Sequence, residues 1–291
     1  MKLKHKIEFY LFFFLGKLFT SFGYGILKKS SNFLAFLFFR ILKIRRKVVS
    51  KNLSIAFPNL TLEELNQLSY KTYKNSALTF LELFYYYGKK EELLSIINVE
   101  NINLLHKNIK KQNGLILLTG HLGNWELGAV VAGAKMNKPL NVLVKKQKNS
   151  YVAKWLTKFR EQLNNKEILL GLSIREIYKT IKSNGAVGIV GDQRAQKKDG
   201  IKVNFFAKTT YTFHGTANIA LKTQCPVLVV FCTREKNGTY NCHVRELDYS
   251  KFNGTHEEKI VQFNQMYMSY LEETIKKYPE QWFWMHNIWK Y

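Results

Sequence analysis

A histidine and a glutamate stand five residues apart in Gly120-His121-Leu122-Gly123-Asn124-Trp125-Glu126. An imidazole beside a carboxylate can take a proton from a hydroxyl. The carboxylate would hold one ring N–H of His121, fix its tautomer and raise its basicity, leaving the other nitrogen free to accept the proton. That suffices to activate an alcohol toward an acyl carbonyl without a covalent enzyme intermediate. Five positions along one regular helix would separate the two side chains by roughly 140° around the axis. A turn must therefore bring them together, and Gly120 and Gly123 supply the freedom for one. The plainer alternative is that His121 caps the turn and Glu126 is a solvated acid of the first helical turn, where a carboxylate is favoured in any case.

The flanking residues say which elements carry the pair. The apolar run Leu115-Ile116-Leu117-Leu118-Thr119 predicts a buried strand, and Leu127-Gly128-Ala129-Val130-Val131 predicts a helix with Asn124 as its N-cap. The motif thus sits at a strand-to-helix turn, where α/β sheets present their chemistry. Further strands are predicted at 140–144, 186–190 and 227–231, and helices at about 62–87, 153–163, 174–182 and 212–221. Thr61-Leu62-Glu63-Glu64 reads as a capping box at a helix start. This alternation predicts an α/β fold with a largely parallel sheet flanked by helices.

Two more segments sit where sites are expected. Gly191-Asp192-Gln193-Arg194 follows the strand at 186–190. Asp192 and Gln193 there can position a substrate group or brace the His121 turn, or Asp192 can simply cap a loop. Near the C-terminus, Trp282, Trp284 and Trp289 account for three of the five tryptophans. That segment can close an apolar pocket, dock onto lipid or pack onto the core.

The chain has 291 residues and a formal net charge of +24. No Pro/Gly/Ser-rich linker divides it, so one catalytic domain with an N-terminal extension is expected. From Phe9 to Leu27 the only charged side chain is Lys17, and a second apolar run, Phe33 to Phe39, leads into a basic cluster at 40–47. The first run approaches the ~20 residues that cross a bilayer, although Lys17 makes a clean span costly. The expectation is an uncleaved N-terminal hydrophobic helical membrane anchor over 1–45, either a short tilted span or a hairpin in the interface, followed by a domain over 46–291. A pair of buried core helices is the alternative. The positive charge suits an anionic membrane surface, a phosphorylated lipid or an acidic protein. No nucleic-acid-binding motif accompanies it, so nucleic acid is not an expected partner. Cys225, Cys232 and Cys242 match no zinc spacing, and their odd number argues against a closed disulfide framework. They read as buried thiols in a reducing compartment.

Five segments together resemble the lipid A biosynthesis acyltransferases, the lauroyl/myristoyl family within the lysophospholipid acyltransferase superfamily. They are RKVVSKNLSIAFP (Arg46 to Pro58), TGHLGNWE (Thr119 to Glu126), GDQ (Gly191 to Gln193), GIKVNFFAK (Gly200 to Lys208) and QWFWMHNIWK (Gln281 to Lys290). The resemblance implies a glycerolphosphate-acyltransferase-like fold. It also implies transfer of an acyl chain from acyl-acyl carrier protein to a hydroxyl of a lipid A precursor, at the cytoplasmic face of a bacterial inner membrane. His121 and Glu126 carry over as the catalytic pair, with His121 as base oriented by Glu126. Arg160 falls where the family usually has an arginine, which implies a substrate or oxyanion role. Lys145 stands where many members have arginine, and lysine binds phosphate only as a point charge. Asp192 and Gln193 join the implied substrate-binding set.

The chain holds no GxSxG, HExxH or P-loop element, which argues against a serine acyl-enzyme, a zinc hydrolase and an NTPase. No metal and no cofactor is expected. The neighbouring readings are a related glycolipid acyltransferase with a different acceptor or an acyl-CoA donor, and a non-catalytic basic membrane-binding scaffold.

Overall fold

The computed structural model describes residues 2–171 and 174–290. Its strands are β1 (Ile97–Val99), β2 (Leu115–Thr119), β3 (Leu140–Val144), β4 (Lys166–Leu169), β5 (Ala186–Val190), β6 (Ile201–Phe205), β7 (Lys208–Thr212), β8 (Val227–Arg234) and β9 (Tyr240–Glu246). The α-helices are α1 (Lys2–Thr20), α2 (Tyr24–Phe36), α3 (Arg46–Ala56), α4 (Leu62–Tyr85), α5 (Lys90–Ile96), α6 (Ile102–Lys110), α7 (Trp125–Met136), α8 (Ser150–Arg160), α9 (Ile174–Lys182), α10 (Gly215–Thr223) and α11 (His256–Lys277).

Seven strands form the main sheet in the order β1-β9-β8-β2-β5-β3-β4, and β6 and β7 make a separate hairpin. β2 pairs in parallel with both β5 and β8, and β3 with both β4 and β5. Among the described residues, only the β8–β9 contact in this sheet is antiparallel, with β1 parallel to β9. The sheet is therefore mixed but largely parallel, as the alternating pattern predicts. β2 lies at its centre with Leu115, Ile116, Leu117 and Leu118 all buried. A strand covered on both faces reads as a continuous apolar run because neither face meets water. The predicted capping box is present: Thr61 accepts from the Glu64 amide, and Glu64 reaches back to the Thr61 amide at 2.8 Å. β1 and β4, three and four residues long at the two edges of the sheet, carry too little periodic signal to have been foreseen.

The expected N-terminal membrane anchor is corrected. Among the described residues, no helix is long and apolar enough to cross a membrane. The apolar stretch is cut into two helices at Gly23, whose φ of +86° favours glycine. α2 then carries Lys28, Lys29, Ser30, Ser31 and Asn32 in its middle. Both helices instead pack against α4. A Cβ on Gly16 would come within 2.6 Å of the Phe84 ring, so that ring packs directly on the α1 backbone there. Leu27 and Ala35 are fully buried.

The three C-terminal tryptophans also pack inward. Trp282, Trp284 and Trp289 are buried, and Phe205 and Phe206 of β6 and its turn meet them ring to edge or stacked. Of the readings open for that segment, core packing is the one observed, and it brings the segment across the His121 turn.

Candidate active site

The sheet register brings the first two groups together. β2 and β5 pair with Thr119 opposite Val190. His121 and Asp192 each lie two residues beyond that pair, so two parallel strand ends present them side by side. The chain then turns through Gly123, with φ of +64° and only 1.9 Å between an added Cβ and the Cys232 carbonyl oxygen. No side chain fits there, which makes this glycine a requirement of the turn. Asn124 caps α7 by accepting from the Leu127 amide at 3.2 Å.

Asp192, almost fully buried, grips His121 twice. Its Oδ1 lies 2.7 Å from Nδ1 of the ring, and its Oδ2 accepts from the His121 backbone N–H at 2.7 Å. The Trp282 indole donates to the same Oδ2 at 2.8 Å. Burial alone would raise the Asp192 carboxyl, but His121 and these donors hold it below the ordinary carboxylate range. It is therefore an anion, able only to accept, so the proton of neutral His121 sits on Nδ1 and Nε2 is left as the base. Nε2 has no protein partner among the described residues. Burial disfavours the imidazolium, yet the Asp192 charge and hydrogen bond, helped by Glu126, raise the His121 pKa above the ordinary 6.5.

Glu126 does not hydrogen-bond the imidazole. Its carboxylate faces Arg160, which donates from Nε at 2.7 Å and from a terminal nitrogen at 2.6 Å. The other terminal nitrogen of Arg160 donates to Glu167 at 2.7 Å, and the Thr157 hydroxyl braces Glu167 at 2.7 Å. Arg160 is thus gripped by two carboxylates, one of them bidentate. Burial works against its charge, but Glu126 and Glu167 raise its pKa. Its orientation is set by these partners, and its charge is already compensated.

His121, Trp125, Glu126, Lys145, Arg160 and Gln193 all line one cavity of about 810 Å³. Apolar walls come from Leu117, Ala132, Val142, Ile177, Ile189 and Val230. A titratable nitrogen thus stands, with the charged groups Glu126, Lys145 and Arg160, at a largely apolar space. The ring of Trp125 meets His121 edge-on at 4.8 Å, with Phe283 on another side at 6.3 Å. The backbone amides of Trp125 and Glu126, in the first turn of α7, have no acceptor among the described residues.

The sequence placed His121 at its turn and offered Asp192 as a possible brace, but chose Glu126 as the ring's partner. Two functional candidates it missed are Glu82 and Arg234, a buried ion pair at 2.6 Å beneath the Asn124 cap. The signal was present: Glu82 is flanked by Phe80-Leu81 and Leu83-Phe84, and Arg234 ends the apolar strand β8. A charge inside an apolar run, as Glu82 is, points to burial with a partner. His286 approaches from the C-terminal segment, where its Nε2 accepts from the Arg194 amide at 2.9 Å, and burial lowers its pKa. Cys225, Cys232 and Cys242 are free and buried.

A family model described as bacterial lipid A biosynthesis acyltransferase matches residues 1–291. The chain is 24% identical over 252 residues to the lipid A biosynthesis palmitoleoyltransferase of Escherichia coli (strain K12), covering 86% of this chain and 80% of that one. It is also 24% identical over 259 residues to the lipid A biosynthesis lauroyltransferase of the same organism, covering 86% and 81%. A lipid A biosynthesis acyltransferase of Shigella flexneri matches at 24% over 252 residues, with 86% and 80% covered. The match runs through the His121 turn, the Asp192 strand end and the C-terminal segment alike, and the chain belongs to the bacterial lipid A biosynthesis acyltransferase family and is an acyltransferase.

Proposed function

We propose that the protein transfers a fatty acyl chain from acyl-acyl carrier protein to a hydroxyl of a lipid A precursor, with His121 as the general base. The observation that carries this reading is the free Nε2 of His121, held by Asp192 through Nδ1, at a largely apolar cavity of about 810 Å³. Nε2 takes the proton of the acceptor hydroxyl as its oxygen attacks the thioester carbonyl. The tetrahedral oxyanion then needs donors, and the amides of Trp125 and Glu126 at the positive end of α7 are suited to it. Collapse breaks the C–S bond, and the imidazolium returns its proton to the departing thiolate. Asp192 stabilises the imidazolium in between, as the carboxylate of a triad does. Glu126 adds negative charge nearby while fixing Arg160. The acyl chain occupies the apolar walls, where burial of its methylenes favours binding.

Charge and surface support this choice of donor and site of action. An acidic carrier protein and a phosphorylated acceptor both suit a chain of net charge +24. Leu3, Ile7, Leu11, Phe14 and Leu18 form one exposed apolar stripe along α1, opposite the Phe9, Phe13 and Gly16 side that packs on the core. We place this stripe against the cytoplasmic surface of a bacterial inner membrane, lying along it without crossing.

The test is transfer by purified protein, with lipid A precursor as acceptor and acyl-acyl carrier protein or acyl-CoA as donor, analysed by mass spectrometry. Acyl gain on the precursor with the carrier-protein donor, abolished in His121→Ala, is the expected result. Transfer only from acyl-CoA, or only to another glycolipid, would replace the donor or acceptor. Binding of lipid without any transfer would overturn the reading.

A further inference from the structure

Behind the His121 turn lies a buried charged network that the reaction itself does not use. The Glu82 carboxylate, on α4, is fully buried and receives five hydrogen bonds. Arg234 donates twice, at 3.2 Å and 2.6 Å; the hydroxyls of Tyr24 (2.7 Å) and Tyr240 donate; and the Asn124 side-chain amide donates at 2.8 Å. Arg234 also donates to Asn75 and to Thr79. Burial opposes the Arg234 charge, but Glu82 and the tyrosines around it raise its pKa. Both groups have their hydrogen-bonding capacity taken up by these partners.

Two links tie this network to the turn. Through its NH₂ group, Asn124 is oriented by Glu82 and by the Thr79 carbonyl, which aims its oxygen at the Leu127 amide and caps α7. On the other side, the Arg234 backbone is clasped by Gln281, whose side chain accepts from its N–H at 2.7 Å and donates to its carbonyl at 2.8 Å. The Gln281 carbonyl then accepts from the Gly123 amide at 3.0 Å. Glu82, Arg234, Gln281, Gly123 and Asn124 therefore close a ring around the segment that carries His121 at one end and Glu126 at the other. Tyr24, the first residue of α2, joins this ring to the N-terminal helices.

We propose that Glu82 and Arg234 are positioning residues for acyl transfer: the pair sets the Asn124 cap and the Gly123 turn, and with them the placing of His121 against the first-turn amides of α7. Tyr24 connects that placement to the N-terminal helical pair. An apolar core would stabilise the fold at least as well as a buried ion pair of this kind. What the pair adds is direction, since Glu82 and the Thr79 carbonyl can only accept, so they meet the NH₂ end of the Asn124 amide and turn its oxygen toward the Leu127 amide. A misplacement of about 1 Å at a reacting group costs on the order of a hundredfold in rate.

The proposal rests on acyl transfer being the activity, and the experiment separates the two. Purified wild type, Glu82→Gln, Asn124→Ala, Tyr24→Phe and the Glu82→Gln/Asn124→Ala double variant are assayed for transfer to the precursor, with rates corrected for folded fraction. Absence of transfer by wild type refutes the functional reading alone. Given wild-type transfer, the expected result is a fall in kcat of about ten- to a hundredfold for Glu82→Gln and for Asn124→Ala, with donor KM nearly unchanged and the double variant no worse than the worse single. Tyr24→Phe, which keeps the ion pair, lowers kcat by a smaller factor of roughly three. Should Glu82→Gln not fold, Asn124→Ala and Tyr24→Phe decide by the same criterion. Wild-type kcat per folded molecule in these variants, with only a lower Tm, would overturn the proposal, as would losses that multiply in the double variant.

Discussion

His121 and Asp192 are separated by 71 positions in the chain and by 2.7 Å between Nδ1 and Oδ1. Glu126, only five positions from His121, makes its hydrogen bonds to Arg160 instead. The two carboxylates near the imidazole thus have separable tasks, one acting through a hydrogen bond and the other through charge at a distance. Substitutions distinguish them.

Asp192→Asn preserves size but lets an amide N–H face Nδ1, which moves the ring proton to Nε2 and blocks the base. The expected fall in kcat is about 10²–10⁴-fold, with little change in donor KM. In a His121→Ala background the same substitution should cost almost nothing further, because Asp192 acts through the imidazole. Steady-state rates of the two singles and the double variant check this.

The pH–rate profile should show an acidic limb centred above 6.5, the ordinary histidine value, because the base must be neutral and the charge of Asp192, then Glu126, retains its proton. Glu126→Gln removes one of those charges but leaves the Nδ1 bond, so the limb should move to lower pH. The linked stability follows the same signs. The contribution of protonated His121 is present below 6.5 and lost as pH rises through its higher folded value. The contribution of ionised Asp192 is present above 3.8 and lost as pH falls through its lower folded value. Profiles of kcat/KM for wild type and Glu126→Gln, with thermal melts across the same range, read all of these.

Arg160→Ala leaves Glu126 and Glu167 facing each other's surroundings without a cation. Removing one partner from a buried ion pair costs about 3–5 kcal/mol, and the residual exposure of Arg160 and Glu126 puts the expectation at the lower end. Denaturant melts should show that loss, with Glu167→Gln milder because the bidentate Glu126 clamp survives.

Ala132→Phe, on the cavity wall formed by α7, should shift preference toward shorter acyl donors. A change of one methylene is worth about 1–3 kcal/mol in such a pocket. Competition between donors of different chain length, read by mass spectrometry of the product, measures the shift.

Leu11→Asn with Phe14→Asn removes two side chains from the exposed stripe of α1 without touching its packed side. Each apolar side chain buried in lipid contributes roughly 1.5–3 kcal/mol, so binding to vesicles containing anionic lipid should weaken by well over tenfold while the thermal melt stays unchanged. Sedimentation with such vesicles and a melting curve of the same sample test it.

The strand, glycine turn and capped helix from Leu115 to Met136 were determined by the sequence itself. An unbroken apolar run, two glycines and an Asn N-cap act within a few residues of one another. The capping box at Thr61 and the α/β alternation are local in the same sense. The tertiary structure decided which carboxylate meets His121. That choice depends on β5 lying in register beside β2 although β3 and β4 intervene in the chain, and no local pattern specifies which strands become neighbours. It also decided the fate of the N-terminal helices. An apolar residue facing a protein core and one facing lipid have the same side chain, so Phe9 and Phe13, which pack inward, differ from Leu11 and Phe14, which do not, only once α4 is in place. Glu82 and Arg234 complete the contrast: one is a single charge inside an apolar run, the other the last residue of an apolar strand, and only the folded chain sets them 2.6 Å apart, where the cost of burying either is offset by the other.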